Sequence, residues 1–223
     1  MAGKKSRQDA DAKPEVPPWQ FISDESVNEE KMLDLAMDDR SPPDDREIAA
    51  ENQAMLRRQS EFRAAAEYVA RAFSSFEEVQ KIILFGSVAA PLEKEVPRFR
   101  RFRQAGIAVW HECSDVDLAV WVTRLDNLTV LRKARSRALN QLMVEKQIGV
   151  AHHQVEVFVM EPATDRYLGR LCCFNQCPKA GKPECLVPGC GEHLFLKRIP
   201  SFRMRPEALH PERTLVLFAR ATT

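Results

Sequence analysis

The chain has 223 residues, of which 44% are hydrophobic and 29% are charged, and its formal net charge is +1. This composition is that of an ordinary globular protein, and the length is enough to bury a substantial core in one compact domain with extensions. No apolar run approaches the ~18 residues of a membrane span, and the N-terminal residues lead into polar sequence without an apolar signal core. We therefore expect a cytoplasmic protein without a membrane partner.

Two segments precede the first long helix. Residues 1–22 are charged, contain proline and have few apolar side chains, which predicts a disordered tail. Residues 23–43 are predicted to form an acidic helical segment and a linker, because apolar positions recur over 24–39 before Pro42 and Pro43 stop the helix.

A long amphipathic helix opens the predicted core. Asp44 or Asp45 can cap its first turn, and a hydrophobic strand at 81–85 follows it. The apolar positions that define the helix are Ala49, Ala54, Leu56, Phe62, Ala65, Ala66, Tyr68, Val69 and Phe73.

Two short motifs stand at the ends of hydrophobic strands. The first strand runs into Gly86 and Ser87, and a turn of this kind can present backbone N–H groups to phosphate. Asp115 and Asp117 begin a strand at 116–122, and carboxylates two residues apart project from the same face. Such a pair can hold divalent metal ions, and hard oxygen ligands suit Mg²⁺. The combination indicates phosphoryl or nucleotidyl transfer.

A third carboxylate interrupts the apolar strand predicted at 155–160. Glu156 is flanked on both sides by residues of the buried type, where a lone acid is costly unless it is paired or bound to metal. Glu145, which ends the preceding helix, and Glu161, which follows the strand, are the alternatives. The apolar neighbours favour Glu156.

These motifs, in this order, resemble the signature of the nucleotidyltransferases of the DNA polymerase beta-like superfamily, and most closely its minimal and antibiotic-modifying members. The resemblance covers roughly residues 70–160 and implies a nucleotidyltransferase core at 44–165. It also implies transfer of a nucleoside monophosphate from a nucleoside triphosphate, most simply ATP, to a hydroxyl of an unidentified small molecule, protein or RNA. The implied site consists of Gly86 and Ser87 for the phosphates, Asp115 and Asp117 for two Mg²⁺ ions, and Glu156 for the second ion or the proton.

The spacing between the motifs departs from the usual family pattern. Twenty-seven residues separate Ser87 from Asp115, which is a longer spacer than the family commonly has. Aromatic and basic residues alternate within the insert at 91–113, which predicts an added hairpin or flap. Its arginines, which either neutralise pyrophosphate or form a solvated flap, are Arg98, Arg100, Arg101 and Arg103.

A second helix is predicted from a cap near Asp126 to about Ile148. Its apolar stripe consists of Leu128, Leu131, Ala134, Ala138, Leu142 and Met143. The basic residues off this stripe, which favour a solvated face over a binding site, are Arg132, Lys133, Arg135 and Arg137.

Five of the six cysteines fall between residues 172 and 190, in a stretch dense in Gly and Pro. Turn residues can direct sulfurs to one centre, and zinc prefers four such ligands in a closed tetrahedral site. Unpaired thiols and disulfides are the alternatives. The predicted ligands of a structural zinc are Cys173, Cys177, Cys185 and Cys190, with Cys172 or His193 as substitutes.

The predicted fold class is α+β, with a mixed-sheet nucleotidyltransferase core, flanking helices and a small zinc-stapled loop. Residues 166–223 hold the cysteine-rich loop, a short strand near 193–199 and a buried strand at 214–220. Two other functions remain open: a catalytically idle nucleotide-sensing or antitoxin-like module, and an RNA-binding zinc protein. Histidines for which an ordinary structural role is favoured over metal or acid–base chemistry are His111, His152 and His153.

Overall fold

A computed structural model describes residues 44–92 and 112–221, which belong to the compact unit Pro43–Thr223. The predicted tail at 1–22 and the acidic helical segment at 23–43 lie outside the described residues. So does most of the insert, including its four arginines and His111.

Helix α1 spans Asp45–Ser74 and begins at the predicted cap. The Asp44 carboxylate accepts hydrogen bonds from the N–H groups of Arg46 and Glu47, both at 2.8 Å, and the Glu47 carboxylate accepts one from the Asp44 N–H. This reciprocal capping box pairs N–H groups that the helix leaves without acceptors, and such a cap contributes about 1 kcal/mol. The buried face of α1 is formed by Met55, Gln59, Phe62, Ala65, Ala66, Val69, Ala70 and Phe73.

Six strands form one mixed sheet in the order β5-β4-β3-β2-β1-β6. Their bounds are β1 Val79–Phe85, β2 Val116–Val122, β3 Val155–Met160, β4 Tyr167–Leu171, β5 Leu196–Lys197 and β6 Leu215–Ala219. Helix α2, Leu128–Lys146, connects β2 to β3, and these two strands are parallel, whereas every other pair is antiparallel. The predicted α+β class with a mixed sheet is therefore confirmed.

The two faces of the sheet are covered differently. On one face both helices pack over apolar side chains such as Leu84, Leu118 and Val157, which continue into the cores of α1 and α2. The other face carries a smaller cluster formed by Ile83, Phe85, Ala119, Trp121, Phe158 and Met160. Side chains from the segment after β5, including Phe202 and Met204, cover part of this second cluster.

Two predictions about the strands need correction. Strand β4, Tyr167–Leu171, is absent from the predicted set, although it lies between β3 and β5 in the sheet. The strand predicted at 214–220 exists as β6, but it lies at the edge of the sheet and is not buried: Leu215 is 41% and Val216 is 62% exposed. Consecutive residues of β6 are exposed or half-buried, so neither face of this edge strand is fully covered.

Helix α2 begins close to the predicted cap near Asp126: its N-cap is Asn127, whose side chain forms no capping hydrogen bond. One prediction about α2 is wrong. Arg135 is 1% exposed and does not belong to a solvated basic face. Within the described part of the chain, no helix is both long and apolar enough to cross a membrane.

Candidate functional site

Side chains of helix α1 donate hydrogen bonds to the turn after β1. Gly86–Val88 forms a short 3-10 turn, and Gly86 has φ of +77°, a conformation that glycine adopts without strain. The Gln59 side-chain amide donates to the carbonyls of Ser87 at 3.0 Å and Ala90 at 2.7 Å, while Arg63 donates to that of Val88 at 2.8 Å. These bonds direct the carbonyls of the turn toward α1. The first N–H groups of a helical turn have no acceptor within it.

Strand register brings the predicted acids to this turn. Phe85 is opposite Asp117 in the antiparallel β1–β2 pair, and Asp117 is beside Glu156 in the parallel β2–β3 pair. Both carboxylates are in phase with the smaller apolar cluster, on the face opposite the helices, because side chains alternate along each strand. Asp115 precedes β2 in the same phase. The Asp115–Asp117 pair and the distant Glu156 thus meet at one end of the sheet.

Gly86 and Asp117 are in direct contact. A Cβ atom added to Gly86 would lie 2.5 Å from Oδ2 of Asp117, which is closer than any real Cβ contact. Cys113 is buried just before the Asp-x-Asp motif, and Ser114 Oγ donates to Asp115 Oδ2 at 3.1 Å. The Gly-Ser motif and the Asp-x-Asp motif therefore form one site.

Asp117 is the electrostatic centre of this site. Burial raises the pKa of its carboxyl to about 7, and repulsion from Glu156 and then Asp115 adds to the effect, while Arg170 acts in the opposite direction. A carboxyl in this state is partly protonated at neutral pH. The carboxylates of the site thus repel one another, and Arg170 offsets only part of this repulsion.

Arg170 on β4 also lies at the site, although it is not among the residues predicted from the sequence. Its Nη1 contacts both carboxylate oxygens of Glu156. Its guanidinium also lies over the rings of Phe158 at 4.4 Å and Phe202 at 5.0 Å, which fixes the cation in place. The sequence signal was the short run Tyr167–Leu171, in which alternate apolar residues surround a single basic one.

The alternatives to Glu156 are engaged elsewhere. Glu145 accepts hydrogen bonds from Tyr68 at 2.6 Å and from Gln141. Glu161 pairs with Arg166 at 2.8 Å and accepts a hydrogen bond from Thr164. Neither residue lies in the register that places Glu156 beside Asp117. The role of Glu156 as the third acid of the site stays a prediction.

The cysteine loop lies between β4 and β5. All six cysteines of the chain are free, and of the five near this loop only Cys172 is buried. Burial raises the pKa of the Cys172 thiol, and the nearby Cys173, Cys177 and Cys185 add to that effect through their charges. The sulfurs of these four residues are therefore within electrostatic range of one another. Cys190 precedes Gly191, whose added Cβ would lie 3.3 Å from Cys177 Sγ.

Among the described residues, the histidines near the predicted sites form no metal-binding group with the carboxylates. His152 and His153 form a short 3-10 turn directly before β3, with their rings 5.8 Å apart. Burial lowers the pKa of His152, and its ring is hydrogen-bonded to the backbone of Cys173. His193 is exposed on the cysteine loop. An orienting role, as predicted for His152, agrees with this contact.

The donor atoms at the carboxylate site suit a hard cation. Across residues 44–92 and 112–221, no group of three or more His, Cys, Asp or Glu side chains is arranged to hold a metal ion. Asp115 and Asp117 nevertheless present oxygen ligands in a region of excess negative charge, which a divalent cation would relieve. Glu156 can join them only if its carboxylate moves away from Arg170.

Comparisons with known proteins provide no independent guide to this site. The chain matches no protein family model, no curated protein and no solved structure.

Proposed function

We propose that this protein transfers a nucleoside monophosphate from a nucleoside triphosphate to an acceptor hydroxyl. The observation that carries the proposal is the convergence of Gly86, Ser87, Asp115, Asp117 and Glu156 at one end of the sheet. The chain between Ser87 and Asp115 is long, so their meeting is a property of the fold and not of sequence proximity.

The donor would bind along the turn at Gly86 and Ser87. The carbonyls of this turn are bound by Gln59 and Arg63, so the N–H groups and the Ser87 hydroxyl are the polar atoms left for a triphosphate. Asp115 and Asp117 would hold Mg²⁺, which when bound neutralises phosphate charge and lowers the pKa of the acceptor hydroxyl. The contact between Gly86 and Asp117 would keep the phosphate and the carboxylates adjacent.

Chemistry would occur at the α-phosphorus of the donor. The acceptor oxygen forms a bond to phosphorus, the bond to the bridging oxygen breaks, and pyrophosphate leaves with that electron pair. A carboxylate of the site takes the acceptor proton, and Glu156 is the candidate because it lies beside Asp117. Arg170, which lies over two aromatic rings, pairs with this carboxylate, so Glu156 would take the proton after the metal or the acceptor draws it away from the guanidinium.

A second candidate function, nucleotide binding without turnover, is favoured by the same ion pair. If Glu156 stays bound to Arg170, the site has two carboxylates and no third group for a metal or a proton. Such a protein would sense nucleotide or act as an antitoxin-like partner. It would bind nucleoside triphosphate with Mg²⁺ but release no pyrophosphate.

The deciding experiment measures binding and turnover in parallel. Purified protein is incubated with Mg²⁺ and each labelled nucleoside triphosphate, with and without cell extract as a source of acceptor, and pyrophosphate and labelled product are quantified. We expect pyrophosphate release that Asp117→Asn reduces at least tenfold, while Asp126→Asn, which changes a carboxylate with 65% exposure, has no effect. Mg²⁺-dependent nucleotide binding without pyrophosphate would favour the sensing module. Absence of nucleotide binding would refute both.

A further inference from the structure

The cysteine loop has no hydrophobic core of its own. From Cys173 to Leu194 no residue is buried, and the backbone hydrogen bonds within this stretch are those of short turns, such as Cys185 N–H to Lys182 and Cys190 N–H to Val187. A segment of this length loses considerable conformational entropy on ordering. Apolar burial does not offset that loss here, so another interaction must hold the loop.

Two sulfur atoms of the loop accept hydrogen bonds from backbone N–H groups. Cys172 Sγ accepts a hydrogen bond from the N–H of Phe174, two residues later, at 3.4 Å. Cys185 Sγ accepts one from the N–H of Lys179 at 3.3 Å. Backbone N–H groups directed at sulfur stabilise a thiolate, as charge-assisted hydrogen bonds do.

A buried cation lies beside these sulfurs. The Arg135 guanidinium donates from Nη1 to the Val155 carbonyl at 3.0 Å and from Nη2 to the Cys172 carbonyl at 3.5 Å, and its Nε has no partner. Among the described residues, no carboxylate forms an ion pair with it. The side chains that favour its charge are Cys173 and Cys172. A buried charge without an anion is strongly unfavourable.

We propose that Cys172, Cys177, Cys185 and Cys190 bind one zinc ion, and that the resulting thiolate cluster is the counter-ion of Arg135. Zinc binding releases four thiol protons to solvent, and four thiolates outweigh the charge of Zn²⁺. The cluster therefore carries net negative charge next to the buried guanidinium. This inference is independent of the proposed nucleotidyl transfer.

The first ligand is Cys172 and not Cys173, which replaces the assignment expected from sequence. Cys172 Sγ accepts the N–H bond of the turn from Phe174 at 3.4 Å. The side chains of adjacent residues point in different directions, so one of the pair faces the common centre. Cys173 is then left as the thiol beside Arg135.

Metal analysis of matched cysteine variants tests the ligand set. Full-length protein purified without chelators should contain about one equivalent of zinc, and cobalt substitution should give the strong visible bands of a tetrahedral thiolate site. Cys172→Ser should lose most of the zinc, and Cys173→Ser should keep it. Protein that neither contains zinc nor takes up a stoichiometric amount of zinc or cobalt would refute the site. Zinc loss in Cys173→Ser with retention in Cys172→Ser would overturn the ligand assignment.

Variants of α2 test the role of Arg135. Arg135→Gln should weaken zinc binding, measured by competition with a chromophoric chelator, by about 10- to 100-fold, the usual effect of losing a group that supports metal ligands. Arg135→Lys should recover part of the affinity, because it restores the charge without the fork of donors. Arg137→Gln on the exposed side of the same helix is the control. If Arg135→Gln fails to fold, Arg135→Lys supplies the comparison with Arg137→Gln. Equal zinc affinity in the Arg135 and Arg137 variants would refute the counter-ion role.

Discussion

Replacing Asp117 by Asn should make the metal-free protein more stable at neutral pH. The folded environment raises the pKa of Asp117 from 3.8 to about 7, so the folded state binds this proton more tightly than the unfolded state does. Stability from the protonated carboxyl is fully present below about pH 4 and is lost as pH rises to about 7. About three pKa units correspond to about 4 kcal/mol in the free energy of unfolding.

Urea denaturation of the parent and of Asp117→Asn from pH 4 to pH 8, without divalent cations, measures this effect. The free energy of unfolding of the variant should be close to that of the parent at pH 4 and should exceed it by up to about 4 kcal/mol at pH 8. This value is a ceiling, because water entering the open face would screen the charges. Asp126→Asn serves as the control for an exposed carboxylate. A stability difference that does not change between pH 5 and pH 8 would refute the burial and repulsion assigned to Asp117.

Three further variants probe the contacts around the site. Gly86→Ala should lower the melting temperature more than Gly181→Ala, since both have φ above +70° but only the first would contact Asp117; equal losses in a thermal scan would exclude that contact. Arg170→Met should raise the pKa of Asp117 further, because it removes the guanidinium that lowers this pKa, so the pH midpoint at which stability is lost should move upward; an unchanged midpoint would contradict this effect. Gln59→Leu should destabilise the fold by about 1–3 kcal/mol in urea denaturation, since two carbonyls lose their donor; a change below about 0.5 kcal/mol would show that solvent replaces it.

The sequence predicts those features of the fold that local patterns determine. Asp44 caps α1 because a carboxylate at that position binds N–H groups a few residues away. Glu156 joins Asp117 because an acid within an apolar strand keeps the phase of its neighbours. The cap is contained within a few residues of chain, and the face that Glu156 occupies is set within its own strand, whereas its place beside Asp117 requires the pairing of β2 with β3.

Features that depend on distant neighbours were not predictable in this way. Arg135 has the same helical phase as Leu131 and Ala138, so its position already lies on the buried stripe, yet its charge favoured the solvated assignment. Arg135 is stabilised there by hydrogen bonds to the carbonyls of Val155 and Cys172, and no pattern within α2 predicts these contacts. Arg170 is similar, since its partner Glu156 belongs to another strand. Exposure of β6 follows from its place at the sheet edge, which strand sequence alone does not specify.

The antiparallel pairing of β1 with β2 makes the site insensitive to the length of the chain that joins them. Hydrogen bonds between the strands fix Phe85 opposite Asp117 however many residues lie between. The entropy of closing a loop grows slowly, by about 0.6 kcal/mol for each doubling of its length. Insertion of one residue inside β2, in contrast, would turn Asp117 to the opposite face and away from Gly86. Residues can therefore be inserted into this connection during evolution, whereas the strands on either side tolerate almost no insertion.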